Sequence, residues 1–439
     1  MEIFGVLLGV AAIIYLSLKR LSILVAAPIA ALIVVVFNGM GIFESFFGNQ
    51  SHQFMGALGT YIINFFPIFF LGAVLAKFME ASGATTAIAN YILEKFGTHK
   101  PYRVLVAIFV ICLLLTYGGI SIFVVIFAIV PLARTLFRKL DLAWELFSIP
   151  LWLGISTITL VVLPGAPAIQ NVMPTQFLGT TIMAATVPSL VGAAGATLFG
   201  LWYMKKELAK SLAAGYTYVA LDSEDIFNEE GLPPVAISLF PLILFIALVL
   251  GGSLFGSDFL QGNIVIIALV AAILACAVLF YKYLPDVYGT LSAGAANSIA
   301  PVFAVAVTVG FGAIVVNAPG FAVFANWILG IPGTPMISLT VLNGVLAMIT
   351  GTVSGTLGIV LPQFSQHFLD TGLHPDLIHR ISAISATMLV NMPQSGVVIT
   401  VLALTKMDYK KNFKYTFVPL SASLGVALLI IMLLGSVLY

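Results

Sequence analysis

Apolar runs long enough to cross a membrane recur along the whole chain, and the informative feature is where they break. Runs at 3–18, 22–37 and 55–77 approach the ~20 residues that a hydrocarbon core about 30 Å thick requires. A more polar stretch, 78–100, carries Glu80, Glu94, Lys95 and Lys100 and reads as an interfacial arm. Two shorter runs, 104–116 and 122–137, flank Tyr117-Gly118-Gly119-Ile120-Ser121. A longer one, 143–180, is interrupted at Leu163-Pro164-Gly165-Ala166-Pro167-Ala168-Ile169-Gln170-Asn171, and a further span covers 182–204. Two prolines and a glycine cannot continue a regular helix. In hydrocarbon such broken backbone survives only inside protein or beside a wet cavity.

The same plan returns after a polar stretch, 205–234. Spans fall at 235–252, 263–281 and 288–317, and an amphipathic arm precedes 331. Short runs at 336–349 and 356–369 flank Thr350-Gly351-Thr352-Val353-Ser354-Gly355. A second interrupted run, 377–405, breaks at Asn391-Met392-Pro393-Gln394-Ser395-Gly396, and 416–437 closes the chain. Echoes keep the same order in both halves: Ala89-Asn90-Tyr91-Ile92-Leu93 with Ala325-Asn326-Trp327-Ile328-Leu329, Gly72-Ala73-Val74 with Gly312-Ala313-Ile314, and Val187-Pro188 with Val418-Pro419. We therefore read 1–204 as a first repeat, 205–234 as a cytoplasmic linker and 235–439 as a second repeat.

Composition fixes the class. The chain is 61% hydrophobic and 8% charged, against roughly 25% charged in soluble domains, so it is an all-α polytopic membrane protein. A net charge of +1 gives no case for nucleic-acid binding. The N-terminus has no basic n-region, so the first run reads as a retained helix rather than a cleaved signal. If each pair of short runs is a re-entrant hairpin, each half crosses an odd number of times and the two repeats are inverted. With both termini outside, every one of the 18 lysines and arginines except Arg380 then falls on one face, as the positive-inside rule requires. The first hairpin's arms, 13 and 16 residues long in this reading, fall short of a full span.

Chemistry has four places to sit, two tips and two breaks, which meet near the midplane in an inverted-repeat transporter. Half-helix N-termini there suit a carboxylate. The candidates for substrate binding are Tyr117, Gly118, Gly119 and Ser121 at the first tip and Gly165, Gln170 and Asn171 in the first break. Thr352, Ser354 and Gly355 follow at the second tip, and Asn391, Gln394, Ser395 and Gly396 in the second break. Serine and threonine in membrane helices often bond only their own backbone, and Gly351 with Gly355 also forms a GxxxG packing pattern. His52, His99, His367, His374 and His379 map to ends and loops and read as surface residues. Arg380 reads likewise, about 18 Å from the second break at 1.5 Å per residue. Cys112 and Cys276 read as buried, inert thiols. No metal set, cofactor site or nucleophile–base pair lies at depth, so an enzyme is not expected. No acid occupies a midplane position to relay protons. Coupling then falls to a sodium ion held by oxygens near the tips, or to a proton carried by the substrate itself.

These residues resemble the gluconate permease (GntP) family of organic-anion secondary transporters. The likeness is densest at Gly72 to Leu93, Leu115 to Ser121, Leu163 to Thr181 and Asn391 to Gly396. The Tyr-Gly-Gly tip followed by Leu-Pro-Gly-x-Pro-x-Ile-Gln-Asn looks most like the branch labelled hydroxybutyrate permease. The gluconate carriers have Tyr-Glu-Val-Gly at the tip and Asn-Asp-Ser-Gly at the second break. This chain lacks both acids, which argues against gluconate as substrate and against proton symport. The resemblance implies an elevator-type fold, a homodimer in a bacterial inner membrane, and a small carboxylate as substrate, here a short hydroxy monocarboxylate such as 3-hydroxybutyrate. A gluconate or other sugar-acid symporter is the alternative, and an anion channel the alternative of another class.

Overall fold

The computed structural model describes residues 2–19, 21–96, 100–117, 122–166, 168–220, 231–255, 258–284, 286–331 and 333–439. Among the described residues the chain is helical throughout, with no strand. Its first half runs α1 (Glu2–Leu18), α2 (Ile23–Phe37), α3 (Ile42–Phe46), α4 (Phe54–Ala81), α5 (Ala84–Phe96), α6 (Pro101–Tyr117) and α7 (Ile122–Lys139). A 3-10 turn, α8 (Ser148–Trp152), a π turn (Leu153–Ile158), α9 (Ile169–Leu178) and α10 (Thr186–Ala213) complete it. The second half runs α11 (Val235–Phe255), α12 (Asp258–Leu279), α13 (Val287–Asn317), α14 (Pro319–Leu329), α15 (Pro335–Thr350), α16 (Val353–Asp370), α17 (Pro375–Met388) and α18 (Gly396–Thr405). It ends with α19 (Tyr409–Phe417), a second π turn and α20 (Ser423–Leu438). Four stretches of helix are long and apolar enough to cross a membrane: Phe54–Ala81, Thr186–Ala213, Val287–Asn317 and Tyr409–Leu438.

Two expectations change. The arms of the first hairpin are 17 and 18 residues long. Pro101-Tyr102-Arg103 opens α6 and Arg138-Lys139 ends α7, and both were outside a reading based on apolar runs. Seventeen residues make about 26 Å of helix, so arm length no longer argues that this hairpin is re-entrant. The linker is also shorter than 205–234, because α10 continues through Lys205, Lys206 and Lys210 to Ala213. The acidic group from Asp222 to Glu230 lies outside the described residues.

The compact units do not follow the sequence halves. One unit comprises 66–155 and 200–299, the other 1–65, 156–199 and 300–439. In the first, Phe69 packs its ring tilted against that of Phe123, centroids 4.6 Å apart, and edge-on to that of Phe127 at 6.1 Å, fastening α4 to α7. A Cβ on Gly294 would lie 2.7 Å from Val74 Cα, so glycine is what lets α13 and α4 approach there. Cys112 and Cys276 are both free and buried, as the sequence suggested. In the second unit, α1 and α2 pair, and Asn38 Oδ1 accepts from Gly320 N at 2.9 Å to dock the start of α14. At this unit's centre lies α17, buried without interruption from Leu377 to Thr387.

Candidate functional site

The second tip and the second break meet. α15 ends at Gly351, whose φ of +64° is the left-handed cap conformation that favours glycine. Thr352 then caps α16, its Oγ1 accepting from Gly355 N at 3.0 Å. A Cβ at 355 would collide with that hydroxyl, which is why glycine stands there. Gly351 and Gly355 thus belong to two different helices, and the GxxxG packing alternative does not apply. Thr350 Oγ1 and Thr356 Oγ1 lie 2.9 Å apart and lock the tip from within. Ser354 is half-buried beside them.

Across from the tip, α17 stops at Met388 and α18 starts at Gly396. Ser395 is the N-cap of α18 but does not cap it with its side chain. Its Oγ instead donates to Gly351 O at 3.1 Å. Gln394 Nε2 donates to Met348 O at 2.7 Å, so both side chains tie the break to the tip. Gly396 packs on α13, where a Cβ would strike Val305. These bonds bring the starts of α16 and α18, at Val353 and Gly396, to the same junction.

The two amides of this break are satisfied on one side only. Asn391 Nδ2 donates to Ser421 Oγ at 2.8 Å, and Ser421 donates onward to Met388 O at 2.6 Å. Both amide nitrogens are thereby fixed as the donor ends, since Met348 O is a carbonyl and the Ser421 proton is given to Met388 O. Asn391 Oδ1 and Gln394 Oε1 are left buried with no partner, although both residues are 0% exposed. An unmet buried acceptor costs about 1–3 kcal/mol, so these two oxygens are the chemically open groups of the junction.

The first break is organised differently. Gly165 takes φ +81° and its N donates to Ile182 O at 3.0 Å. Asn171 is saturated: Nδ2 donates to Ala166 O at 2.9 Å and Ile182 O at 3.1 Å. Its Oδ1 faces Arg380 Nη1 at 3.0 Å and His379 Nε2 at 3.1 Å. Asn171 and the Gly165 amide are therefore occupied by the protein itself, while Gln170 remains half-buried on the first turn of α9.

Reading His379 and Arg380 as surface residues is corrected here, since both are 0% exposed. Arg380 donates from Nη1 to Val161 O at 2.9 Å and from Nη2 to Ala184 O at 2.9 Å and Ile182 O at 3.4 Å. Val161 O precedes the break, and Ile182 O and Ala184 O lie between α9 and α10, so the guanidinium ties together the irregular backbone on either side of α9. With Asn171 Oδ1 only accepting, His379 Nε2 carries the proton, and His379 Nδ1 pairs with Thr180 Oγ1 at 2.7 Å. Asp376 Oδ2 accepts from Ala185 N at 3.2 Å. The signal was present in the sequence: Asp376, His379 and Arg380 sit at i, i+3 and i+4, one face of a helix, in an otherwise apolar segment. His52, His367 and His374 are exposed as expected.

At the first tip, Tyr117 ends α6 in the other compact unit and is 43% exposed. Gly118, Gly119 and Ser121, like His99, lie outside the described residues. Among the described residues no group of histidine, cysteine and acidic side chains could hold a metal ion.

The family described as GntP family permease matches residues 1–434. A Bacillus subtilis (strain 168) protein described as the uncharacterized transporter YxjC is 29% identical over 458 aligned positions, 95% of each chain. The crystal structure of the Alcanivorax borkumensis YdaH transporter, described as having an unusual topology, matches with a TM-score of 0.42 and 15% identity. That match covers 87% of this chain and 88% of the other.

Proposed function

The chain belongs to the GntP family and is a membrane transporter, not an enzyme, and from that premise we propose that it carries a short hydroxy monocarboxylate such as 3-hydroxybutyrate by elevator-type alternating access. One observation carries the reading: helix N-termini and unpartnered amide oxygens occur at the same tip–break junction. The first-turn amides of α16 and α18 offer partial positive charge to a single carboxylate. Asn391 Oδ1 and Gln394 Oε1 offer acceptors to a hydroxyl group. The junction carries no acidic side chain, in keeping with a small monoanion rather than a polyhydroxy acid. The same oxygens suit a coupling sodium ion.

The test begins with thermal shifts of the purified protein in a panel of carboxylates, with and without sodium, followed by counterflow in proteoliposomes. A short hydroxy acid is expected to stabilise most, and labelled 3-hydroxybutyrate to accumulate transiently against preloaded unlabelled substrate. A channel gives no such overshoot. A larger shift with gluconate, or no counterflow, would overturn the proposal.

The inverted-repeat arrangement is part of this reading and is supported by the order of elements. A long proline-containing helix, a short helix, a hairpin and a broken helix occur as α4 to α9 and again as α13 to α18. The echoed glycines take matching places within their own units: a Cβ on Gly72 would lie 3.4 Å from Phe127 of one hairpin, and a Cβ on Gly312 3.6 Å from Thr350 of the other. Because both native cysteines are buried, single cysteines can be introduced without removing them. Thr371→Cys, beside the second hairpin, is expected to react with an impermeant thiol reagent in intact cells. Lys100→Cys, beside the first, should stay unlabelled until the membrane is opened. Labelling of both from outside would sink the inverted arrangement.

A further inference from the structure

The turn between α18 and α19 carries a charge pattern that the transport reading does not use. Lys406, Lys410, Lys411 and Lys414 are all exposed. The last three fall at i, i+1 and i+4, within about 100° of one another around the helix. Asp408, the acid among them, has its Oδ1 turned onto Lys410 N at 3.0 Å and Lys411 N at 3.2 Å. Lys406 takes φ +58°, a cap conformation in which glycine is favoured. The elbow thus holds an ammonium group where a glycine would fit with less strain.

Two features place this elbow at a membrane border. The helical stretch Tyr409–Leu438 is 30 residues long, about 45 Å, against a hydrocarbon core of about 30 Å. Its basic first turns therefore stand in the headgroup layer when α20 fills the core. Tyr409, Phe413 and Phe417 form a ladder with ring centroids 5.6 and 5.3 Å apart, and Tyr409, at its basic end, is of the aromatic type that membrane interfaces favour. A connection also runs inward: Tyr409 Oη donates to Asn391 O at 2.9 Å. One end of the helix that carries the lysines thus holds the backbone of the second break.

We propose that this basic elbow binds the headgroup of an anionic phospholipid, and that its occupancy tightens the second break through Tyr409. Each lysine near an anionic surface contributes roughly fivefold in partitioning, so the cluster discriminates strongly against zwitterionic lipid. Neither part depends on which carboxylate is carried, so failure of the substrate assignment leaves this proposal standing, and the reverse.

The test uses the full chain in nanodiscs of phosphatidylcholine alone or mixed with phosphatidylglycerol. Native mass spectrometry after release from the discs counts retained lipid, and hydrogen exchange is followed over 389–395. The wild type is expected to retain phosphatidylglycerol and to exchange several-fold more slowly over 389–395 when it is present. A variant with Lys410→Gln, Lys411→Gln and Lys414→Gln should lose both effects. Lys406→Gly, which relieves backbone strain, should weaken retention while folding normally. Tyr409→Phe should keep the lipid but lose the slowing. Equal retention by the triple variant and the wild type would overturn the lipid site, as would equal retention of the two lipids. Displacement of the lipid by soluble glycerol phosphate at equal concentration would show a site for free phosphate esters and overturn the lipid assignment. Unchanged exchange over 389–395 in the wild type would overturn the coupling to the break.

Discussion

Replacing Arg380 with methionine should sharply lower the yield of folded protein and its thermal midpoint in detergent. The substitution keeps the length of the side chain but removes the guanidinium donors to Val161 O and Ala184 O, and the longer one to Ile182 O. Val161 O and Ala184 O would lose these donors away from water, while Ile182 O keeps the Gly165 and Asn171 donors. Each buried acceptor left unmet costs about 1–3 kcal/mol, so two of them are a large share of the roughly 5–15 kcal/mol that holds a protein folded. Arg380→Lys is the informative companion. It keeps the charge, but its three donors radiate from one nitrogen and cannot span carbonyls that the guanidinium reaches from two, so an intermediate loss is expected. Asn171→Ala should fall near the arginine variant, because it strips a partner from both Arg380 and His379. A midpoint for Arg380→Met equal to that of wild type would show that these bonds do not hold the first break together.

That arginine also marks what position along a helix axis does not convey. Apolar run length found the long helices, and polar clusters inside apolar runs found both breaks, because each signal is local. Position along a helix axis is local too, and by that measure Arg380 lies well away from the second break. Its burial is radial: other segments surround α17 on every face from Leu377 to Thr387. Its partners come from some 200 residues earlier in the chain. Asn171 shows the same non-local pairing. An amide in an apolar run needs a partner, and a ligand was the partner that the sequence allowed one to name. The protein supplies its own, from Arg380 and His379. By contrast the second tip and the second break, two of the four stretches expected to converge, do meet through Gln394 and Ser395. The hairpin arms were read short because Pro101 to Arg103 and Arg138-Lys139 are polar enough to end an apolar run while still being helical.

Gln394→Ala and Asn391→Ala should each weaken binding of the best-stabilising carboxylate by roughly 5- to 150-fold, the equivalent of the about 1–3 kcal/mol that a buried hydroxyl left without its acceptor costs. Loss of folded protein should be small. Gln394 contributes a single bond to the tip, and Ser421 still donates to Met388 O once Asn391 is gone. The difficulty is that Gln394 has two roles: its nitrogen ties the break to the tip, while its oxygen is open. Ser395→Ala separates them. It also removes one tip–break bond, the one to Gly351 O, but takes away no unpartnered acceptor. If ligand affinity depends on the open oxygens, Ser395→Ala should lose only a few-fold while Gln394→Ala loses far more. Equal losses in the two variants would mean that the junction matters for its shape alone. Wild-type affinity in both Gln394→Ala and Asn391→Ala would remove the substrate from this junction altogether. The buried oxygens would then be a cost the fold tolerates, and the search for the site would move to the residues around Tyr117.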